Sequence, residues 1–281
     1  MHGWSREVIH LLPVLRCAVP TLYVLTVVLY GLRFFGRGGR LALYARQAFL
    51  TPIGLHLLFL LTFVVVHRRI PLGSGPEVMT VIACSTALAY GYVEMRTSNL
   101  STGMFLLGFS TILQFASSGQ IALRGADEPL LRNPWFALHA LNAILGYSAF
   151  AVSAIYGLLY LLLYRELKTR RFGRVYRRMP PLDVLAKMNI GAAGFGFVIL
   201  SVAITAGIFW ASHLYPGFFR DPMFLITLIV WAIYAVCIVA HYRFGWRGHR
   251  TVYLSISGFV LMGLAMIAVS LFLKTFHRFG A

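Results

Sequence analysis

Two histidines stand at the ends of long apolar stretches, where an imidazole could hold a ligand at a membrane surface. His139 opens the run FALHALNAILGYSAFAVSAIYGLLYLLLYR, and His277 follows the last apolar run in SLFLKTFHRFG. A neutral imidazole offers a nitrogen lone pair to iron and an N–H to a neighbouring acceptor. Because two such rings at one membrane face can be the axial ligands of a bis-His haem iron, the pair predicts an outer haem site.

A second pair of histidines lies nearer the other membrane face. His56 sits inside an apolar stretch, in TPIGLHLLFLL, and His241 closes another, in AHYRFGWRG. Ionisable side chains inside spans are unfavourable and usually functional, so this inner pair is a second candidate for a functional role. A single interfacial histidine more often faces lipid or solvent, and the remaining ones are interpreted in that way: His2, His10, His67, His213 and His249.

The elements that must position these histidines are membrane helices. Of the 281 residues, 59% are hydrophobic and 12% are charged, a balance that excludes an ordinary soluble domain. Several stretches approach the ~20 residues that cross a bilayer core. We therefore predict an all-α, polytopic helical bundle of about eight transmembrane helices, forming a single domain over residues 1–281. The predicted spans are 18–35, 49–66, 78–94, 103–122, 136–164, 190–211, 222–241 and 251–273.

The net charge of +17 is concentrated in the connections that follow odd-numbered spans. The largest basic cluster is the segment 165–189, whose PPLDVLAKMN end is expected to form a short interfacial helix. Because basic loops stay in the cytoplasm, this pattern places both termini outside and puts His139 and His277 at the outer face. We expect the basic loops to attract anionic membrane lipid. Since no nucleic-acid-binding module accompanies the charge, we predict no nucleic-acid partner.

The segment before the first span is not expected to be a cleaved signal peptide, because its apolar stretch carries Arg16 and runs on into that span. The three cysteines, Cys17, Cys84 and Cys237, are scattered through apolar sequence without a C-x-x-C spacing. The absence of a C-x-x-C spacing argues against a thioredoxin-like pair or a zinc site within the chain. No Ser-His-Asp constellation, Walker loop or dinucleotide fingerprint is present in the sequence. We therefore predict no catalytic residue.

Residues 136–281 resemble the cytochrome c assembly superfamily that includes CcsA/ResC, CcmC and CcmF, and within it the CcsA-like HemX/YpjD branch. Five elements carry the resemblance: the span opened by His139, ITAGIFWAS, Asp221–Pro222, the pair Trp231 and Tyr234, and HYRFGWRGHRTVYLSISGF before the last span. In the front half, PLGSGPEVMT resembles a family segment with Glu77 in its acidic position. Together these elements form a specific set.

The resemblance implies a protein that carries haem across the membrane or presents it outside for attachment to apocytochrome c. It implies that His139 and His277 are the outer axial ligands of a non-covalent, b-type haem. His241 matches an inner ligand of the family, and His56 is assigned to the same inner site by its depth. An aromatic loop between the sixth and seventh spans would hold the porphyrin, with these candidate residues: Trp210, Phe218, Phe219, Arg220 and Asp221.

This loop departs from the family pattern. Where W-G-x-x-W-x-W-D-P-K-E is expected, the chain has WASHLYPGFFRDPMF, which keeps Trp210, Asp221 and Pro222 but lacks the other tryptophans. Phe218 and Phe219 offer an aromatic wall in their place, and an arginine beside them could pair with a propionate. The chain is therefore expected to be at most one subunit of a cytochrome c haem lyase, without independent catalysis.

The resemblance also implies a location and partners. We expect a multi-pass protein of the bacterial inner membrane, surrounded by lipid. A second membrane protein with a large external domain, of the CcsB type, is the expected assembly partner, and apocytochrome c is a candidate acceptor.

Two other functions stay open on the sequence. A b-type electron-transfer subunit needs paired histidines on two helices. His56 and His67 are eleven residues apart on one span, but no other span carries a matching pair. A haem-free structural or regulatory subunit would keep the fold as a scaffold, would be colourless, and would tolerate replacement of His139 and His277.

Overall fold

The computed structural model describes residues 4–37, 39–97, 100–121, 129–170, 172–214 and 217–272. The regular structure in these ranges is helical, which confirms the all-α prediction. The helices are α1 (Trp4–Phe34), α2 (Ala45–His67), α3 (Gly75–Thr97), α4 (Gly103–Gln120), α5 (Pro134–Lys168), α6 (Arg174–Arg178), α7 (Leu182–Leu214), α8 (Pro222–Phe244) and α9 (His249–Phe272). Each predicted span coincides with one of the longer helices, and α6 lies in the basic segment.

The chain is a multi-pass membrane protein: in the described ranges, seven helices are long and apolar enough to cross a membrane. The remaining predicted span, 103–122, corresponds to α4. This helix has 18 residues and is less apolar because it carries Ser110, Gln114 and Ser117, all buried in the protein. The Gln114 side chain accepts a hydrogen bond from Thr80 of α3, and Ser117 donates to the Pro76 carbonyl of the same helix. Polar residues of α4 thus form hydrogen bonds to α3.

Residues Met1–Ala137 form one compact unit, called unit 1 here. Each of α1 and α3 packs against both α2 and α4. Arg16 of α1 donates to the Ser118 carbonyl at the carboxyl end of α4, at 2.5 Å. Helix α1 begins at Trp4, well before residue 18, because Leu12 and Leu15 extend its buried face towards the amino terminus.

A buried ion pair closes the connection between α2 and α3. The Arg69 guanidinium donates to both carboxylate oxygens of Glu77, at 2.7 and 2.8 Å, and the Gly73 N–H donates to the same carboxylate at 2.8 Å. Arg69 and Glu77 are only 5% and 3% exposed. Such a pair holds the connection in one arrangement, because neither charge is stable in this environment without the other.

A second buried carboxylate joins the helices at the opposite end of unit 1. Tyr30 of α1 donates to Glu94 of α3 at 2.5 Å, and Arg46 of α2 lies 3.5 Å from the same carboxylate. Since Glu94 is 2% exposed and Arg46 is largely exposed, the arginine brings its charge to the buried group from the surface. Helix α3 is therefore tied to its neighbours at both ends.

Residues Leu138–Ala281 form the other compact unit, called unit 2 here. Helix α8 packs against α7 and α9, and α5 approaches the backbone of α7 closely where Gly146 faces Gly196. The core includes Phe150 of α5 stacked on Tyr234 of α8, with ring centroids 3.5 Å apart. The division into two units concerns packing, and a single functional domain over residues 1–281 stays a prediction.

The interfacial helix expected at the end of the segment 165–189 is the first part of α7 and not a separate element. Asn189, in these first turns, is fully buried. Its side chain donates to the Ser153 carbonyl of α5 and to the Ser255 hydroxyl of α9, both at 2.7 Å. Because these bonds fix the start of α7 within unit 2, the helix continues without a break into its span.

We expect Arg69→Met to destabilise the protein by about 3 kcal/mol, because it leaves the Glu77 carboxylate buried without its counter-charge. Thermal unfolding of the detergent-purified protein measures this. Lys187→Met is the matched control, since Lys187 pairs with Asp183 on an exposed surface at 3.9 Å, where such pairs contribute little. Equal unfolding temperatures for the two variants would contradict the structural role of the buried pair.

Candidate functional site

His139 lies in the second turn of α5 and is half-buried. Its Nδ1 is 2.7 Å from the backbone carbonyl oxygen of Ala203 in α7. A carbonyl oxygen only accepts hydrogen bonds, so Nδ1 must carry the proton. In the neutral ring the lone pair is then on Nε2, at the opposite edge of the imidazole. This is the arrangement of metal-ligating histidines, whose second nitrogen donates to a backbone carbonyl or a carboxylate.

The His139 ring lies against Gly207, one turn after Ala203 on α7. A Cβ atom at position 207 would lie 2.8 Å from both Nδ1 and Cε1 of the ring. Because Ala203, Gly207 and Trp210 follow one another at spacings of four and three, they share a helix face. Trp210, half-buried, is thus the next large side chain along the face that carries His139.

Asp221 ends the connection between α7 and α8 and fixes the start of α8. One Asp221 oxygen accepts from the backbone N–H groups of Met223 and Phe224, at 2.9 and 3.2 Å, and Pro222 occupies the first helical position. The Asp221 carboxylate therefore caps α8. Gly217, with φ of 89°, makes the turn that precedes the cap.

The aromatic residues of this connection divide into a buried and an exposed group. Phe218 is buried and packs on Phe224, with ring centroids 4.6 Å apart. Phe219 is 57% exposed, and Arg220 is exposed beside it. The predicted wall therefore presents Phe219 and Arg220 outward, while Phe218 supports them from within.

The predicted outer residues that are described collect at one end of unit 2. Helix α5 begins at this end, α7 finishes there, and α8 starts there with Asp221. Helix α9 returns to the same end and is described up to Phe272. His277 lies beyond that residue, outside the described residues, so its predicted pairing with His139 stays a prediction.

His241 lies at the other end of unit 2, in the last turn of α8. Its Nδ1 is 2.9 Å from the Trp246 carbonyl oxygen, so the proton again lies on Nδ1 and the lone pair on Nε2. Gly245 adopts a left-handed conformation, with φ of 67°, and turns the chain back so that this carbonyl faces the helix end. His241 therefore has the same tautomer as His139.

His56 has a different environment, because both ring nitrogens are hydrogen-bonded within unit 1. The Thr80 hydroxyl gives its proton to Gln114 at 2.7 Å, so it accepts from His56 Nε2–H at 2.9 Å. Nδ1, which then carries the lone pair, accepts from the Tyr23 hydroxyl at 3.1 Å. Gln114 donates onward to Ser118 at 3.0 Å. This chain of bonds takes a residue from each of the four helices of unit 1, and iron ligation by His56 would require Tyr23 to leave Nδ1.

Sequence reasoning missed Ala203 and Gly207, the two positions of α7 that receive the His139 ring. Gly207 lies in ITAGIFWAS, and Ala203 is the residue just before that segment. The two small residues are four positions apart, which is the small-x-x-x-small pattern that lets membrane helices approach closely. This spacing is the feature of the sequence that could have indicated a close helix contact at these two positions. It does not reveal which residue of which helix fills the space.

Comparison with known proteins identifies the family of this chain. A family model described as cytochrome C assembly protein matches residues 17–277, across both units. The chain belongs to the cytochrome c assembly protein family. The match confirms the resemblance inferred from the second half of the sequence and from the segment around Glu77 in the first half.

Individual relatives are distant, and the CcsA proteins among them cover about three quarters of the chain. The cytochrome c biogenesis protein CcsA of Guillardia theta is 26% identical over 234 residues, 75% of this chain and 76% of that protein. CcsA of Heterosigma akashiwo is 23% identical over 250 residues, 76% of this chain and 78% of that protein. The inner membrane protein YpjD of Escherichia coli is 26% identical over 132 residues, 47% of this chain and 49% of that protein. Family membership supports a role in cytochrome c biogenesis.

We expect His56→Ala to destabilise the protein by about 2 kcal/mol or more, because the hydroxyls of Tyr23 and Thr80 lose their buried partner. The unfolding temperature in detergent measures the loss. His249→Ala is the control, since this exposed imidazole contacts only the face of Tyr164 in the ring contacts of the described residues. If both variants unfold at the wild-type temperature, the His56 chain of hydrogen bonds does not stabilise unit 1.

Proposed function

We propose that the protein is a haem-binding subunit of cytochrome c assembly, which holds a non-covalent, b-type haem at the outer membrane face through His139 and His277. The observation that carries the proposal is the bond from His139 Nδ1 to the Ala203 carbonyl. It fixes the tautomer that directs a lone pair from Nε2, as iron ligation requires. Family membership supports the same chemistry, because cytochrome c assembly handles haem.

The connection before α8 fits an amphipathic porphyrin. Phe219 is exposed and aromatic, and could stack on the macrocycle, while Arg220 beside it could pair with a propionate. Trp210 adds a second aromatic group on the α7 face next to His139. Phe218 and Asp221 support this surface from within the fold, since one is buried and the other caps α8.

The protein's part in this chemistry is binding and orientation. Haem supplies a redox-active iron and reactive vinyl groups when it is bound. The bond to α7 orients the ligand nitrogen of His139, and the aromatic surface would cover one face of a bound porphyrin. The carboxylates of Glu77 and Asp221 are engaged in an ion pair and a helix cap. We therefore assign them structural roles and propose no catalytic residue in this chain.

His241 is proposed as an inner ligand, since its Nε2 also carries the lone pair. The proposal does not extend to His56, because the Tyr23 hydroxyl already occupies its lone-pair nitrogen. We further propose that the protein resides in a bacterial inner membrane with both termini outside. A membrane partner of the CcsB type and apocytochrome c as haem acceptor complete the proposed assembly.

The reduced-minus-oxidised absorption spectrum of the detergent-purified protein tests haem binding. We expect a b-type signal in the wild type and its loss or shift in a His139→Ala/His277→Ala double variant, because the axial nitrogens are removed. A His10→Ala/His249→Ala double variant is the matched control, since both imidazoles are exposed. A wild-type protein that stays colourless after haem addition would overturn the proposal and favour a haem-free scaffold.

Reporter fusions after Ala281 test the proposed orientation. We expect alkaline phosphatase fused there to be active and green fluorescent protein to be dark, because the basic connections retain the opposite face in the cytoplasm. Fusions in the basic segment after Lys168 should give the reverse pattern. A fluorescent carboxyl-terminal fusion would place His277 at the wrong face for the proposed site.

A further inference from the structure

The His139 ring packs on the backbone of α7 because position 207 has no side chain. A methyl group at Gly207 would lie 2.8 Å from two ring atoms, well inside the ~3.5–4.0 Å separation of atoms in favourable contact. Gly207 is buried, and the ring it faces is held from its own helix, α5. The ring and a larger residue at 207 cannot both occupy this space without displacement.

The contact with Gly207 and the hydrogen bond to Ala203 depend on each other. The Ala203 carbonyl has two lone pairs, so it can accept from the imidazole as well as from the helical N–H one turn later. The ring reaches this oxygen at 2.7 Å only by lying close to the helix, and Gly207 is the next residue on that face. A side chain at Gly207 would therefore move Nδ1 away from its acceptor.

We propose that Gly207 is a positioning residue of the haem site: its missing side chain lets His139 lie on α7, where the Ala203 carbonyl fixes the ring's tautomer and plane. This inference rests on the haem-binding function proposed above. Gly207 itself would not contact the iron. It acts through His139, so that the lone pair of Nε2 is presented in one direction by a rigid helix pair and not by a mobile side chain.

Gly207→Ala tests the proposal against Gly194→Ala in the same helix. Both substitutions add a methyl group within α7 and gain similar helix propensity. A Cβ at Gly194 meets no atom within 4 Å, whereas one at Gly207 meets the imidazole. The difference between the two variants therefore isolates the contact with His139.

The first measurement is haem titration of the purified variants, followed by absorption and electron paramagnetic resonance spectra. We expect Gly207→Ala to bind haem about tenfold more weakly, as is usual when a partner that orients a metal ligand is lost. At equal haem content its low-spin, bis-His signal should convert partly to a high-spin signal. Gly194→Ala should match the wild type in affinity and spectrum. A wild-type affinity and spectrum for Gly207→Ala would overturn the proposal.

The second measurement needs no haem and is a double-mutant cycle between positions 139 and 207. We expect Gly207→Ala to lower the unfolding temperature of the haem-free protein when His139 is present, and to have little effect in the His139→Ala background. If Gly207→Ala alone does not fold and the double variant does, the contact is supported. Additive effects would overturn it.

The two measurements separate the failure of this inference from the failure of the proposed function. A colourless wild type with a coupled cycle would reject haem binding while confirming that Gly207 positions the His139 ring. A coloured wild type with an additive cycle and an unchanged Gly207→Ala spectrum would retain haem binding and reject the role of Gly207.

Discussion

Polar groups inside a membrane bundle must find their partners within the protein, and this constraint organises both units. In unit 1, hydrogen bonds run from Tyr23 through His56 and Thr80 to Gln114, so that each helix contributes one member. In unit 2, Asn189 connects α7 to α5 and α9. Helix packing between apolar surfaces has little direction in lipid. The buried polar contacts fix how neighbouring helices align, because the polar groups of each contact meet at one register only.

The same constraint gives the two kinds of histidine their different chemistry. His56 lies among side-chain hydroxyls that can donate as well as accept, so both of its nitrogens are used in holding helices together. His139 and His241 meet backbone carbonyls, which accept only. A carbonyl partner takes the N–H of the ring, so the lone pair lies on the other nitrogen. The type of acceptor beside the ring, more than the depth of the histidine, thus separates candidate ligands from structural residues.

Most of the fold could be predicted from the sequence, because apolar stretches long enough to span a bilayer have few alternatives to helix. The differences arise where tertiary contacts decide. Helix α4 carries the polar Gln114, which is hydrogen-bonded by Thr80 of α3. Helix α7 begins before the predicted span, and Asn189 in its first turns bonds to α5 and α9. His139 could be identified from its position at a span end. Its partners Ala203 and Gly207 could not, since the register between α5 and α7 is a property of packing and not of local sequence.

The cap at Asp221 separates two tasks within one short connection. Asp221 and Pro222 start α8 by themselves, through bonds to the helix's own amides. The two residues just before them, Phe219 and Arg220, are not among the partners in these cap bonds and are exposed. Substitutions at Phe219 and Arg220 are therefore expected to change the exposed surface while the start of α8 stays in place. The helix start and the exposed surface of this connection are thus set by different residues, so that one can be altered without the other.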